Sequence, residues 1–106
     1  DIREWNVSNG TNFYQMFCCA VSFNQDVGCW DVSNGTNFED MFLGAKSFDQ
    51  AIGGWDMSNA TTLNGMFYDA SSFNQNLSKW NTRNVTDMAL MFNRSSSFNG
   101  DISTWN

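Results

Sequence analysis

Apolar and polar positions along this chain repeat with a period of 25 residues, marked by Trp5, Trp30, Trp55, Trp80 and Trp105. With each Trp as position zero, +2 is Val7, Val32, Met57 and Thr82, and +8 is Phe13, Phe38, Leu63 and Met88. Position +11 is Met16, Met41, Met66 and Met91, and +12 is Phe17, Phe42, Phe67 and Phe92. Position +15 is small (Ala20, Ala45, Ala70, Ser95), +18 is Phe23, Phe48, Phe73 and Phe98, and +22 is Val27, Ile52, Leu77 and Ile102. A fixed period of about 20–50 residues marks repeats that bury their apolar faces only against their neighbours. The chain therefore reads as one segment, 1–106, with repeats 5–29, 30–54, 55–79 and 80–104 and partial repeats at both ends.

Within a repeat the apolar spacing changes. Cys29-Trp30-Asp31-Val32-Ser33 alternates polar and apolar residues, the pattern of a short half-buried strand with Trp and Val on one face. Phe38, Met41 and Phe42 then stand at i, i+3 and i+4, one face of a short helix, with Thr36 as its N-cap and Glu39 completing a capping box. Strands that recur once per coil pair in parallel. The expected fold is an α/β, leucine-rich-repeat-like right-handed solenoid with one short parallel strand and one short helix per 25-residue coil. The Trp column is expected in the core, because it shares its parity with +2 and +22; an exposed sugar-stacking stripe is the alternative.

The polar columns are as regular. Asn9, Asn34, Asn59 and Asn84 occupy +4, and Thr11, Thr36, Thr61 and Thr86 occupy +6. Each pair satisfies the N-x-[ST] glycosylation pattern. The reading favoured here is a structural ladder, in which the amide turns inward, bonds the backbone of a neighbouring coil and so cannot carry a glycan. The less regular sequons at Asn76 and Asn93 are the better glycan candidates. The strand positions facing outward form the candidate recognition face: Asp31, Ser33, Asp56, Ser58, Asn81 and Arg83, extended by Asn6 and Ser8. An Asp pair there could take calcium, but two carboxylates in a flat array read better as a solvated acidic face.

Composition narrows the function classes. A net charge of −6 with five basic residues speaks against nucleic acid and anionic membranes. No apolar run approaches the ~20 residues of a membrane span. His is absent, so the commonest general base and metal ligand is missing, and no constellation suggests an enzyme, cofactor or metal site. The chain starts without Met or a signal-like stretch and reads as a mature or excised segment. Cys18, Cys19 and Cys29 stand outside the repeat pattern, and Cys29 is expected to pair with Cys18 or Cys19.

The stretch from Phe23 to Phe42, FNQDVGCWDVSNGTNFEDMF, resembles the BspA-like leucine-rich-repeat surface proteins, whose 25-residue repeat occurs in mycoplasma lipoproteins and in secreted protist and algal proteins. The resemblance runs over the whole chain through its Phe-Asn-Gln, Trp-Asp-x-Ser-Asn and Met-Phe motifs. Gly10 and Gly35 depart from the family's Val after the Asn, and Thr82-Arg83 replaces Val-Ser. What it implies is an extracellular, cell-surface repeat protein without catalytic activity. The leading expectation is a structural or adhesive rod or filament; the alternative is a recognition module that binds a protein or glycan on the outward face. Residues 1–6 (DIREWN) and 101–106 (DISTWN) are the same stretch of repeat, so neither end carries a polar cap. The expected partner is therefore the chain itself, as further repeats or head-to-tail, with other surface proteins or glycans as further candidates.

Overall fold

The computed structural model describes residues 2–105, which fill 34 × 28 × 20 Å. The expected α/β solenoid, with a strand and a helix in each repeat, is overturned. Among the described residues there is no helix and no strand, and the β pairing consists of isolated parallel bridges that link Asn12 to Asn37, Asn37 to Thr62 and Thr62 to Asp87. The repeat is instead a closed coil of tight turns, each coil stacked on the next.

Coil 2 (30–54) shows how the backbone manages this. The N–H groups of Trp30, Gly35, Met41, Leu43, Ala45 and Phe48 each donate to the carbonyl three residues earlier, at 2.8–3.2 Å. The N–H groups of Phe38, Asp40, Phe42 and Gly44 donate instead to the carbonyls of Thr62, Asn64, Met66 and Tyr68 in coil 3 (55–79), at 2.8–3.1 Å. An α-helix over this stretch would turn the donors beyond its first turn to its own i−4 carbonyls. A helix of seven or so residues gains too few bonds to offset its nucleation cost, whereas the neighbouring coil offers an acceptor at every second position. The i, i+3, i+4 spacing is real, but it describes two successive turns that present Phe38, Met41 and Phe42 to one core.

Alternating donors in this way requires backbone in the left-handed region at +10 and +14. Gln15, Asp40 and Leu90 have φ of 55–60° and Gly65 63°, while Cys19, Asp69 and Arg94 have 56–62° and Gly44 69°. At Gly65 a Cβ would be strained by the positive φ and would also collide with the Asp40 carboxylate. Gly65→Ala is expected to cost about 1–2 kcal/mol. Gly54→Ala, with open space around it, is expected to be neutral or slightly stabilising. Denaturant unfolding of the two variants checks this, and equal midpoints would contradict it.

The apolar columns meet inside the stack. Trp30, Trp55 and Trp80 are 3–4% exposed, and Val32, Phe38, Met41, Phe42, Phe48 and Ile52 are at most 1% exposed. Phe42 stacks on Phe48 within its coil at 4.0 Å and on Phe67 of the next coil at 5.6 Å. Four indole N–H groups donate to the +22-type carbonyl 28 residues earlier: Trp30 to Ile2, Trp55 to Val27, Trp80 to Ile52 and Trp105 to Leu77, at 3.0–3.1 Å. The Trp column is core rather than a sugar platform at its three inner members, while Trp105 is partly buried and Trp5 is 55% exposed.

Position +5, where Gly10 and Gly35 depart from the family pattern, is explained by +8. The pairs are Gly10 with Phe13, Gly35 with Phe38, Ala60 with Leu63 and Val85 with Met88. A Cβ at Gly35 would stand 2.5 Å from Phe38 Cζ, and one at Gly10 would stand 2.8 Å from Phe13 Cζ. A larger ring at +8 is thus accommodated by a smaller residue at +5.

Candidate functional site

The residues expected on an outward strand face are placed on the surface, but by turns rather than by a strand. Asp31 Oδ1 accepts the Ser33 N–H at 3.0 Å and the Ser33 hydroxyl at 2.6 Å, and Asp56 does the same with Ser58. Asn81 Oδ1 accepts the Arg83 N–H at 3.1 Å. These are Asx-turns, in which the side chain satisfies the backbone two residues on. The alternation seen in the sequence survives, with Trp30 and Val32 inward and Asp31 outward, although no ladder runs through this segment.

Hydrogen bonding sets the electrostatics of this rim. The Ser33 hydroxyl, then its N–H, holds the Asp31 carboxyl below the ordinary value, and Ser58 does the same for Asp56 against the opposing effects of burial and then of the Asp31 charge. Asp101 is lowered likewise by Ser103, and Asp87 by the Ala89 N–H and then the Asn64 amide. These carboxyls are depressed in the folded state, so the stability they confer is present above the unfolded value of about 3.9 and lost as pH falls through the lower folded values. Ser58→Ala is expected to raise the Asp56 pKa toward the ordinary value and leave that of Asp31 lowered. A carboxyl NMR titration reads this, and an unchanged Asp56 would contradict the assignment. A carboxylate oxygen committed to a neighbouring serine is a poor start for a calcium site, and among the described residues no three His, Cys, Asp or Glu are grouped to hold a metal.

The +4 and +6 columns bond from coil to coil. Asn34, Asn59 and Asn84 donate through Nδ2 to the carbonyls of Ser8, Ser33 and Ser58 at 2.7–2.8 Å. The hydroxyls of Thr36, Thr61 and Thr86 donate to the carbonyls of Thr11, Thr36 and Thr61 at 3.1–3.2 Å. Asn9 and Thr11 begin these columns in coil 1. The three donating Asn residues are exposed at the coil edge rather than turned inward, yet the nitrogen that would carry a glycan is the one engaged. The Thr hydroxyls cap no helix. That local role falls to +7, where Asn12, Asn37, Thr62 and Asp87 each accept the N–H two residues on.

A second polar ladder escaped the sequence reading. Asn24 Oδ1 accepts the Asp49 N–H, Asp49 Oδ1 the Asn74 N–H, and Asn74 Oδ1 the Asn99 N–H, at 2.8–2.9 Å. Gln50 and Gln75 reinforce it, each donating to the +19 side chain of the preceding coil at 2.9–3.0 Å. The signal was available in Phe-Asn-Gln, a motif repeated at a fixed period in polar residues that have no core role.

The sequons differ in access. Asn76 is exposed, with its Oδ1 on the Ser78 N–H at 2.8 Å. Asn93 is exposed too, but Ser95 of its sequon is buried and its hydroxyl donates to the Phe67 carbonyl. All three cysteines are free. In place of the expected link from Cys29 to Cys18 or Cys19, the Cys29 thiol lies 3.3 Å from the Arg3 carbonyl, while Cys18 and Cys19 meet each other. Between Cys19 and Cys29 the chain packs Phe23 against the core and carries Val27 into it. An open groove of about 310 Å³, lined by Gly53, Gly54, Gln75, Asn76 and Lys79 among others, holds Lys79 as its one ionisable group.

Against known families, the model described as "Mycoplasma protein of unknown function, DUF285" matches residues 1–61 and again 43–106. The chain belongs to this DUF285 family. No curated protein matches it, and no solved structure does. The two overlapping matches together span the whole DUF285 chain, so the family pattern and the columns described above cover the same residues.

Proposed function

We propose that this DUF285 chain is a structural or adhesive, non-enzymatic module of an extracellular surface protein, akin in repeat sequence to the BspA-like proteins, and that its coils stack end to end into a rod or filament. One observation carries the reading: the two end faces complement each other. Each inner coil receives, on the carbonyls of +7, +9, +11 and +13, the N–H groups of +8, +10, +12 and +14 of the coil before it. Among the described residues, coil 1 (5–29) presents those carbonyls with no donor, and coil 4 (80–104) presents the N–H groups of Met88, Leu90, Phe92 and Arg94 with no acceptor. Apolar surface accompanies both edges, with Trp5, Tyr14, Met16 and Val21 exposed at the first and Leu90 at the last. Unpaired edges beside apolar surface invite addition of another like unit, and contact between different faces propagates.

The second reading is recognition by the exposed rim. It draws on the change from Asp31-Ser33 and Asp56-Ser58 to Asn81-Arg83, which varies the surface while the Trp, Met and Phe columns at positions 0, +11, +12 and +18 are unchanged. Light scattering on the chain at rising concentration separates the two. Stacking predicts a mass that grows beyond the 12.0 kDa monomer and falls back when Leu90→Lys places a charge on the last face. A monomer at every concentration would sink the filament reading and leave the rim.

A further inference from the structure

Cys18 and Cys19 occupy positions that carry Leu43-Gly44, Tyr68-Asp69 and Asn93-Arg94 in the later coils, so the repeat has no general need of sulfur there. The hydrogen bonds to the rest of the fold at this place come from the backbone. Cys18 N–H closes a turn on the Gln15 carbonyl at 3.1 Å, and Cys19 N–H reaches the Leu43 carbonyl of coil 2 at 2.6 Å. With φ of 62° at Cys19, the chain doubles back and brings the two Sγ atoms to 3.4 Å. Cys19 is exposed and Cys18 half-buried, so a small reagent can reach the pair. Cys29 is held apart on the Arg3 carbonyl.

The geometry points to Cys18 and Cys19 as a reversible two-electron redox site, which closes to a vicinal disulfide with a small disulfide such as oxidised glutathione as the oxidant. The Cys19 thiolate attacks one sulfur of glutathione disulfide, and the first glutathione leaves as a thiolate that takes up a proton. Cys18 then loses its proton to solvent and attacks Cys19 Sγ, forming the Cys18–Cys19 bond and expelling the second glutathione. Two protein thiols and one glutathione disulfide become one protein disulfide and two glutathione thiols.

The order follows from access and charge. Cys19 is the more exposed thiol, whereas burial, the hydrogen bond and charge of Cys19, and the Asp40 charge push the Cys18 thiol up to about 11. Capping Cys19 as a mixed disulfide removes its charge and its thiol hydrogen, which eases ionisation of Cys18 for the second step. Adjacent Cα atoms lie about 3.8 Å apart, below the ~4.4–6.8 Å of ordinary disulfides. The bond is therefore strained and readily reduced, which suits a switch rather than a staple.

The experiment treats the whole chain with oxidised glutathione, alkylates the remaining thiols, and maps the products by mass. The expected result is a loss of two hydrogens located within the peptide that holds Cys18 and Cys19, with Cys29 alkylated and full reversal by dithiothreitol. Cys29→Ser is expected to form the same product, and Cys18→Ser to stop at a glutathione adduct on Cys19. A bond from Cys29 to either neighbour, a dimer linked through these thiols, or wild-type protein that ends as a stable glutathione adduct overturns the assignment. So does recovery of all three thiols under conditions that oxidise a small dithiol.

Discussion

Replacing Trp55 by Ala is expected to cost roughly 3–5 kcal/mol, a large share of the ~5–15 kcal/mol that holds an ordinary domain folded. Trp55 is 3% exposed, packs on Phe42 at 6.3 Å and donates its indole N–H to the Val27 carbonyl at 3.0 Å. The substitution opens a cavity between coils 2 and 3 and removes that hydrogen bond. Trp5→Ala should cost only about 1 kcal/mol, since that ring is more than half exposed and keeps one stacking partner, Trp30, at 6.4 Å. Trp55→Phe lies between them. The Val27 carbonyl retains the Trp30 N–H at 3.1 Å, so only one of its two partners is lost. Denaturant unfolding followed by fluorescence of the remaining indoles orders the three variants. Equal costs for Trp5→Ala and Trp55→Ala would show that the column does not carry the stack.

The second large effect is a coupling. Gly35→Val should destabilise by about 1–3 kcal/mol, because added carbon atoms have no room between Phe38 and the Val32 carbonyl, 2.9 Å away. Phe38→Met alone should also destabilise, through a partial cavity and loss of the stack on Phe13 at 5.3 Å. The two together recreate the Val85–Met88 pairing of coil 4, and their cost should fall short of the sum by at least ~1 kcal/mol. The carbonyl contact is no obstacle in itself, since Ala60 and Val85 occupy the same place in their coils. A double-mutant cycle with strictly additive costs would refute the exchange of volume between +5 and +8.

Particular residues show what could be read from the chain. The burial of Phe42, Phe48 and Ile52 was legible because an apolar residue that recurs in every repeat has only its counterparts to pack against. The Trp parity was legible for the same reason, since Val32 shares its face. The +4 Asn column was legible as a coil-to-coil bond, although not its place at the exposed edge. The +19 ladder through Asn24, Asp49 and Asn74 is equally periodic but harder to read, because its residue type varies between Asn and Asp where the +4 column is Asn throughout.

Helix and strand were where the reading failed. Phe38, Met41 and Phe42 satisfy a helical face, but a side-chain pattern says nothing about where Asp40 and Gly44 send their N–H groups. The cysteine pairing failed similarly, since which thiols meet depends on the left-handed turn at Cys19 and on the core residues between Cys19 and Cys29. By itself the sequence determined the period, the members of the core and the columns that stack, because these follow from burial, which is a property of residue type. Only the tertiary structure decided the backbone path. Donors that a lone repeat would spend on a helix go to carbonyls of the next coil, and those acceptors do not exist until the coils have stacked.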